Sequence, residues 1–315
     1  MSHEIHSMAY VNATPWHGLG NRLTQGQPLE IWLKQAGMEW AIHEAPVQFQ
    51  SAIADSQQFE GQKVLYRNDT NAPLSVVSDR YQVVQPREVL EFYRDLVSAG
   101  GFELETAGVL KGGKKLWALA KTGRETVLRG GDRVKAYLLL ATACDGTLAT
   151  TCQYTGVRVV CNNTLQMAIG DETGAIRVPH STKFDATSVK RELGLGISAW
   201  ETFQHSIHTL AARNVSPAEA QKYLATVLGD PVLPMDEQPR EKLLKSVHDL
   251  YAGKAVGADL AAANGTAWGL VNGVTEYLDH HRRERVVGGR LHSAWFGHGA
   301  SIKKLAFEEA LKLTA

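Results

Sequence analysis

Apolar and polar positions alternate most clearly between residues 104 and 160, where short runs rich in Val, Leu, Thr and Tyr are punctuated by glycine. Residues 137–144 and 147–154 flank Asp145-Gly146, a dipeptide suited to the positive φ angles of a two-residue type I′ turn. That turn predicts a register in which Tyr137 faces Tyr154, Leu139 faces Cys152 and Ala143 faces Leu148, with Leu140 opposite Thr151 on the other side. Upstream, Leu104 to Leu110 and Lys115 to Lys121 flank Gly112-Gly113, a second hairpin with Val109 and Leu116 on one face. A third run, Val157 to Cys161, follows a single Gly, and Asn162-Asn163 stands where it would cap a helix carrying Leu165, Met167 and Ile169.

Helical periodicity surrounds this block. Leu29 to Ala36 reads as a short helix ended by Gly37, Trp40 to Phe49 as a strand interrupted by Pro46, and Lys63 to Arg67 as another strand before a polar turn. Pro86 opens a helix with Val89, Leu90, Tyr93, Leu96 and Val97 at helical spacing, and Gly100-Gly101 closes it. Residues 170–185 read as a loop with some strand. From Asp185 onward the period is helical: an apolar stripe from Val189 to Leu210, a capping box at Ser216-Pro217-Ala218-Glu219, and helices over Arg240 to Tyr251 and Ala267 to Arg283. Pro231, Pro234 and Pro239 mark a linker, and the Gly-rich turn at Trp295 to Ala300 leads into a last helix, Ile302 to Leu311. The pattern predicts an α+β fold, an antiparallel sheet of hairpins with helices packed on one face, followed by a mainly helical C-terminal half. The segments are an N-terminal mixed one (1–73), a central α+β sheet core (74–185) and a helical region (186–315).

Composition narrows the function. With 44% hydrophobic and 21% charged residues over 315 positions, the chain has enough apolar material for a packed core. Its formal net charge of +0 means that any polyanion site must be a local patch. No basic start precedes an apolar core, and no apolar run approaches the ~18 residues of a membrane span, so a cytoplasmic protein without a membrane partner is expected. Cys144, Cys152 and Cys161 lack zinc-site spacing and read as buried thiols. Neither a Walker loop, a dinucleotide fingerprint, a nucleophile elbow nor HExxH is present, so no cofactor is expected and catalysis is the less favoured reading.

Charge is nonetheless concentrated. Residues 111–135 carry Lys111, Lys114, Lys115, Lys121, Arg124, Arg129, Arg133 and Lys135 against only Glu125 and Asp132. Together with Arg158 these are the candidate nucleic-acid contacts, and Trp117, Tyr137 and Tyr154 are the aromatic groups that could stack on bases. A solvated hairpin edge, where lysines discourage strand pairing, explains the same pattern without a ligand. Two further signals are weaker. Glu276, Asp279 and His280 fall at i, i+3 and i+4, a helical spacing that could hold a metal with His281 beside it, although histidines also favour a helix C-terminus. Among turn formers, His17 reads as a hydrogen-bonded loop histidine, while Lys303 and Lys304 sit at a helix start that could attract an anion.

Several of these stretches carry a resemblance. Arg80 to Pro86, Asp145-Gly146-Thr147, Val157 to Leu165, and Trp268 with Thr275-Glu276-Tyr277 and Asp279-His280 resemble the phage/plasmid-like proteins grouped as domain-of-unknown-function family 932. The resemblance implies a mobile-element setting and carries no residue roles. The helix followed by hairpins is also similar, in architecture alone, to phage single-strand annealing proteins. The expected function is therefore single-stranded DNA binding or strand annealing in recombination, with a homo-oligomer as an expected assembly. A metal-dependent enzyme acting on nucleic acid, or a structural protein without catalysis, is the alternative.

Overall fold

The computed structural model describes residues 5–12, 19–52, 56–100, 102–160, 163–166, 175–194, 197–229, 232, 240–283 and 289–314. In chain order the elements are β1 (Ile5–Val11), β2 (Asn21–Leu23), α1 (Leu29–Gln35), β3 (Ile42–Phe49), β4 (Gln57–Arg67), β5 (Pro73–Ser78) and α2 (Pro86–Gly100). The central strands follow: β6 (Glu103–Leu110), β7 (Lys115–Leu128), β8 (Asp132–Ala143), β9 (Thr150–Arg158), β10 (Asn163–Gln166) and β11 (Ala175–Val178). Helices complete the chain: α3 (Ala186–Gly194), α4 (Ile197–Ala212), α5 (Pro217–Leu228), α6 (Glu241–Asp249), α7 (Ala267–Glu276), α8 (Gly289–Phe296) and α9 (His298–Lys312).

The α+β expectation holds. Strands are ordered β10-β9-β8-β7-β6-β1-β2 in the large sheet, with β11 also on β9, and β3-β4-β5 form a second, three-stranded sheet. All pairings in the large sheet are antiparallel except β1 with β2. One face of β7, β8 and β9 sends Leu116, Ala118, Leu138, Leu140, Cys152 and Tyr154 into the main core, which also takes Val89, Leu90 and Tyr93 from α2. The opposite face is not left bare: Met8, Tyr10, Trp117, Leu119, Tyr137 and Leu139 form a second cluster against which Trp295 and Phe296 of α8 pack.

The Gly112-Gly113 hairpin has the expected register, with Val109 opposite Leu116. The Asp145-Gly146 hairpin does not. Leu138 pairs with Tyr154 and Leu140 with Cys152, one residue away from the two-residue-turn register, so Tyr154 lies on the opposite face from Tyr137. The cause is local: Asp145 Oδ1 accepts from both the amide and the hydroxyl of Thr147, at 3.0 and 2.5 Å, which folds an Asx turn into a longer loop. Two other expectations change. The third run, Val157 to Cys161, is not a strand of its own: β9 runs on through Gly156 to Arg158, and Phe203 of α4 fills the space a side chain at 156 would need. Asn163 to Gln166 pair with β9 as β10 instead of opening a helix. Of the residues singled out in the sequence, His17, Cys161, Met167, Ile169, Pro231, Pro234 and Pro239 lie outside the described residues.

The helical half is organised around α7, all of whose residues are buried. It is tied to the sheet by a buried polar network. Arg158 Nε donates to both oxygens of Asp132, at 2.8 and 2.9 Å, and Trp268 Nε1 donates to the same carboxylate at 3.0 Å. Arg158 Nη1 and Nη2 reach the carbonyls of Val256 and Gly257 at 3.3 and 2.8 Å. At the far end of α7 the Glu276 carboxylate accepts the Val256 N–H at 3.1 Å. Asp132 and Arg158 are 1% and 2% exposed, so the pair is stable only while every partner is in place.

Arg158→Met should therefore cost about 3–5 kcal/mol in urea unfolding, because it strands a buried carboxylate. Trp268→Phe, which removes one donor, should cost only about 1–3 kcal/mol. Ser216 and Glu219 form the expected capping box of α5, and Ser216, with help from Arg213, pulls the Glu219 carboxyl down to about 2 from 4.5. Because the folded value is depressed, this contribution is present above pH 4.5 and lost as pH falls towards 2. The stability gap between wild type and Ser216→Ala, measured by urea titration, should accordingly narrow over that interval.

Candidate functional site

The cations of residues 111–135 do not share one surface. Strand β7 alone separates the Lys115 end from the Leu128 end by roughly 40 Å at ~3.3 Å per residue. At the first end the hairpin tip is covered by the small sheet. Lys111, Gly112 and Gly113 have φ values of 52°, 69° and 119°, and Gly113 packs against Leu74 and Trp40 with no room for a side chain. Arg67, held over the Trp40 ring at 4.2 Å and doubly bonded to Asp69, donates to the Gly112 carbonyl at 3.2 Å. Lys115 is buried, and Lys111 and Lys114 are half-buried.

Along and beyond the strand, most of the remaining cations have protein partners. Lys121 lies 3.3 Å from Glu105, and Arg133 pairs with Glu125 at 2.8 Å. Arg129 donates to the Ala211 carbonyl at the end of α4, and Arg158 belongs to the buried network. Arg124 and Lys135 are half-exposed at the far end of the sheet. Of the stacking candidates, Trp117, Tyr137 and Tyr154 are all buried, and burial raises the hydroxyl pKa of both tyrosines.

The acidic and histidine group of α7 is also divided. The helix ends at Glu276 and Tyr277–His281 forms a π-helical turn, closed by the Arg282 N–H on the Tyr277 carbonyl at 2.7 Å. Glu276 holds Val256 and lies 3.5 Å from His281, whereas Asp279 forms a buried ion pair with Lys303 at 2.8 Å. His280 is half-buried on the same turn. Among the described residues, no three His, Cys, Asp or Glu side chains gather as a metal shell. Lys303, read from the sequence as an anion-attracting helix start, is thus a buried partner of Asp279.

Cations do converge in the helical half. A second π-helical turn, Leu250–Lys254, follows α6, and its residues Leu250 and Lys254 face Tyr277 and His281 across an open cavity of about 650 Å³. Ser246, Arg282 and Arg283 also line it, and Asp249 is its one acidic member among the described residues. That carboxyl is held below the ordinary carboxylate range by the 2.8 Å hydrogen bond from Lys254, with the charges of Lys254, His248 and Lys245 adding. An adjoining cavity of about 410 Å³ shares Tyr277 and Arg282 and is lined further by Leu228, Arg240, Leu243, Leu278, His298 and Ile302. Arg282 Nη1 is buried with no hydrogen-bond partner among the described residues, which is costly for a guanidinium nitrogen unless a ligand supplies the acceptor. Arg282 and Arg283 close the run His280-His281-Arg282-Arg283, but Arg240 and Lys254 are remote from it in sequence and are brought to it by α6, α7 and two widened turns.

The arrangement defines an α+β protein with a cleft lined by basic side chains in its helical half. The family described as Domain of unknown function (DUF932) matches residues 73–295, well over half the chain, and the protein belongs to that family. No curated protein and no solved structure matches the chain.

The carboxylates at the end of α7 act here as structural acceptors. Glu276→Gln should lower the melting temperature, because the anionic acceptor of the Val256 N–H is lost, whereas excess chelator should leave the melting temperature of the wild type unchanged. A chelator-dependent drop in thermal melting would restore the metal reading.

Proposed function

We propose that the protein binds single-stranded nucleic acid, with the strand's phosphates carried by the cleft around Arg282. The observation that supports this reading is the convergence of Arg240, Lys254, Arg282 and Arg283 on two neighbouring cavities that share Tyr277, with Asp249 as the one carboxylate among the described lining residues. Cations that track a backbone, interleaved with an aromatic ring that tolerates any base, are what sequence-independent single-strand binding requires. A duplex is a poorer match, because it is a rigid cylinder and the site is a pair of concavities. Lys114, Arg124 and Lys135, each half-buried, are peripheral contacts in this reading. The mobile-element setting implied by the family resemblance makes DNA the expected strand, and holding a single strand is the elementary step that strand annealing in recombination needs.

Fluorescence anisotropy with a labelled oligothymidylate over a range of salt concentrations tests the proposal. For single strands each neutralised phosphate adds about 0.7 to the log–log salt slope, so Arg282→Ala with Arg283→Ala should flatten it by roughly 1.4 and weaken low-salt binding about tenfold or more. Lys111→Ala with Lys114→Ala should change it little. The reverse pattern would return the interface to the hairpin tip, and salt-insensitive or absent binding by the wild type would overturn the proposal.

A further inference from the structure

The two neighbouring cavities share Tyr277 and Arg282 and differ in the residues that complete each lining. The larger adds Ser246, Asp249, Lys254, His281 and Arg283, with Leu250 as its aliphatic member. The smaller has aliphatic walls from Leu228 at the end of α5, Leu243 on α6, Leu278 on the π-helical turn and Ile302 on α9, with Arg240 and His298 among its polar members. At about 410 Å³ it lies within the ~300–1,000 Å³ range of pockets that enclose organic ligands. A bare phosphate or a lysine-tracked backbone gains nothing from four aliphatic walls. A flat ring with polar edges does.

Resting on the single-strand reading of the cleft, we infer that the smaller cavity takes one unstacked nucleobase, with its adjoining phosphodiester on Arg282. Arg282 lines both cavities and carries a buried nitrogen without an acceptor among the described residues, which is the relation expected of a group that grips the linkage between a base in one chamber and a backbone in the other. Tyr277 also lines both and stands where the base would enter. The π-helical turn is the device that brings this about: its extra residue carries Tyr277, Leu278 and Arg282 to the same opening, whereas continued α-helical winding would set Tyr277 and Arg282 well apart around the axis. Arg240, exposed and reaching the Leu228 carbonyl at 3.5 Å, can offer donors to the base edge.

Two measurements test this. The first compares wild-type protein on a short oligothymidylate and on a phosphodiester oligomer of the same length in which every base is absent. The intact oligomer should bind roughly tenfold or more tightly, the factor expected for one sequestered base, with equal salt slopes. The second uses Leu243→Trp to fill the cavity from a half-buried position. It should lower oligothymidylate affinity to that of the abasic oligomer and leave the slope unchanged. Equal affinity for the two oligomers, or full affinity in Leu243→Trp, would overturn the base pocket while salt-sensitive binding left the single-strand reading standing. Absence of any salt-sensitive binding by the wild type would remove both.

Discussion

The Asp132 carboxylate, deep between the sheet and the helices, is the point on which the molecule's two halves agree. A carboxylate removed from water is tolerated only with its charge balanced and its oxygens hydrogen-bonded, and here Arg158 and Trp268 meet both conditions. The requirement is directional. Arg158 must leave β9 at the level of the first residue of β8, and Trp268 must come from the first turn of α7, so sheet and helix have one relative placement. The same guanidinium reaches Val256 and Gly257, and Val256 is held in turn by Glu276, which fixes both ends of α7 against the loop that precedes it.

The cleft inherits its geometry from that arrangement. Once Glu276 is fixed by Val256, the chain beyond it must turn away to let Asp279 meet Lys303 of α9, and the wide turn from Tyr277 to His281 accommodates both. The basic residues that follow are left at the mouth. Their placement follows from the hydrogen bonds of Glu276 and the ion pair of Asp279, which set the path of the turn that carries them.

Local rules were read correctly wherever local chemistry decides. Pro86 opens its helix with Glu88 accepting the Gln85 N–H, and the Ser216 box forms as its four residues imply. Asp145-Gly146 misled because Asp145 spends its side chain on Thr147, and the resulting one-residue shift in register exchanges the faces of Tyr154 and its neighbours. Strand β1 went unseen because its pairing with β6 lies nearly a hundred residues away. The cations were the hardest to judge. Whether an arginine faces water or an acid depends on partners such as Asp132, 26 residues from Arg158, and Trp268, 136 from Asp132. The widened turns are equally hidden, since an apolar stripe with a 3.6-residue period continues smoothly across them.

The hairpin tip under Trp40 and Arg67 bears on where this family's common unit ends. The matched region opens at residue 73, the first residue of β5, yet β5 draws its sheet partner β4 from before that boundary, and β6 draws β1 from further upstream. A fragment cut at the match would bare the β6 edge of the large sheet, leave β5 with no sheet at all and take Trp40 away from Gly113. The shared sequence and the self-sufficient folding unit are therefore different objects, and the residues before 73 belong to the architecture as fully as those after it.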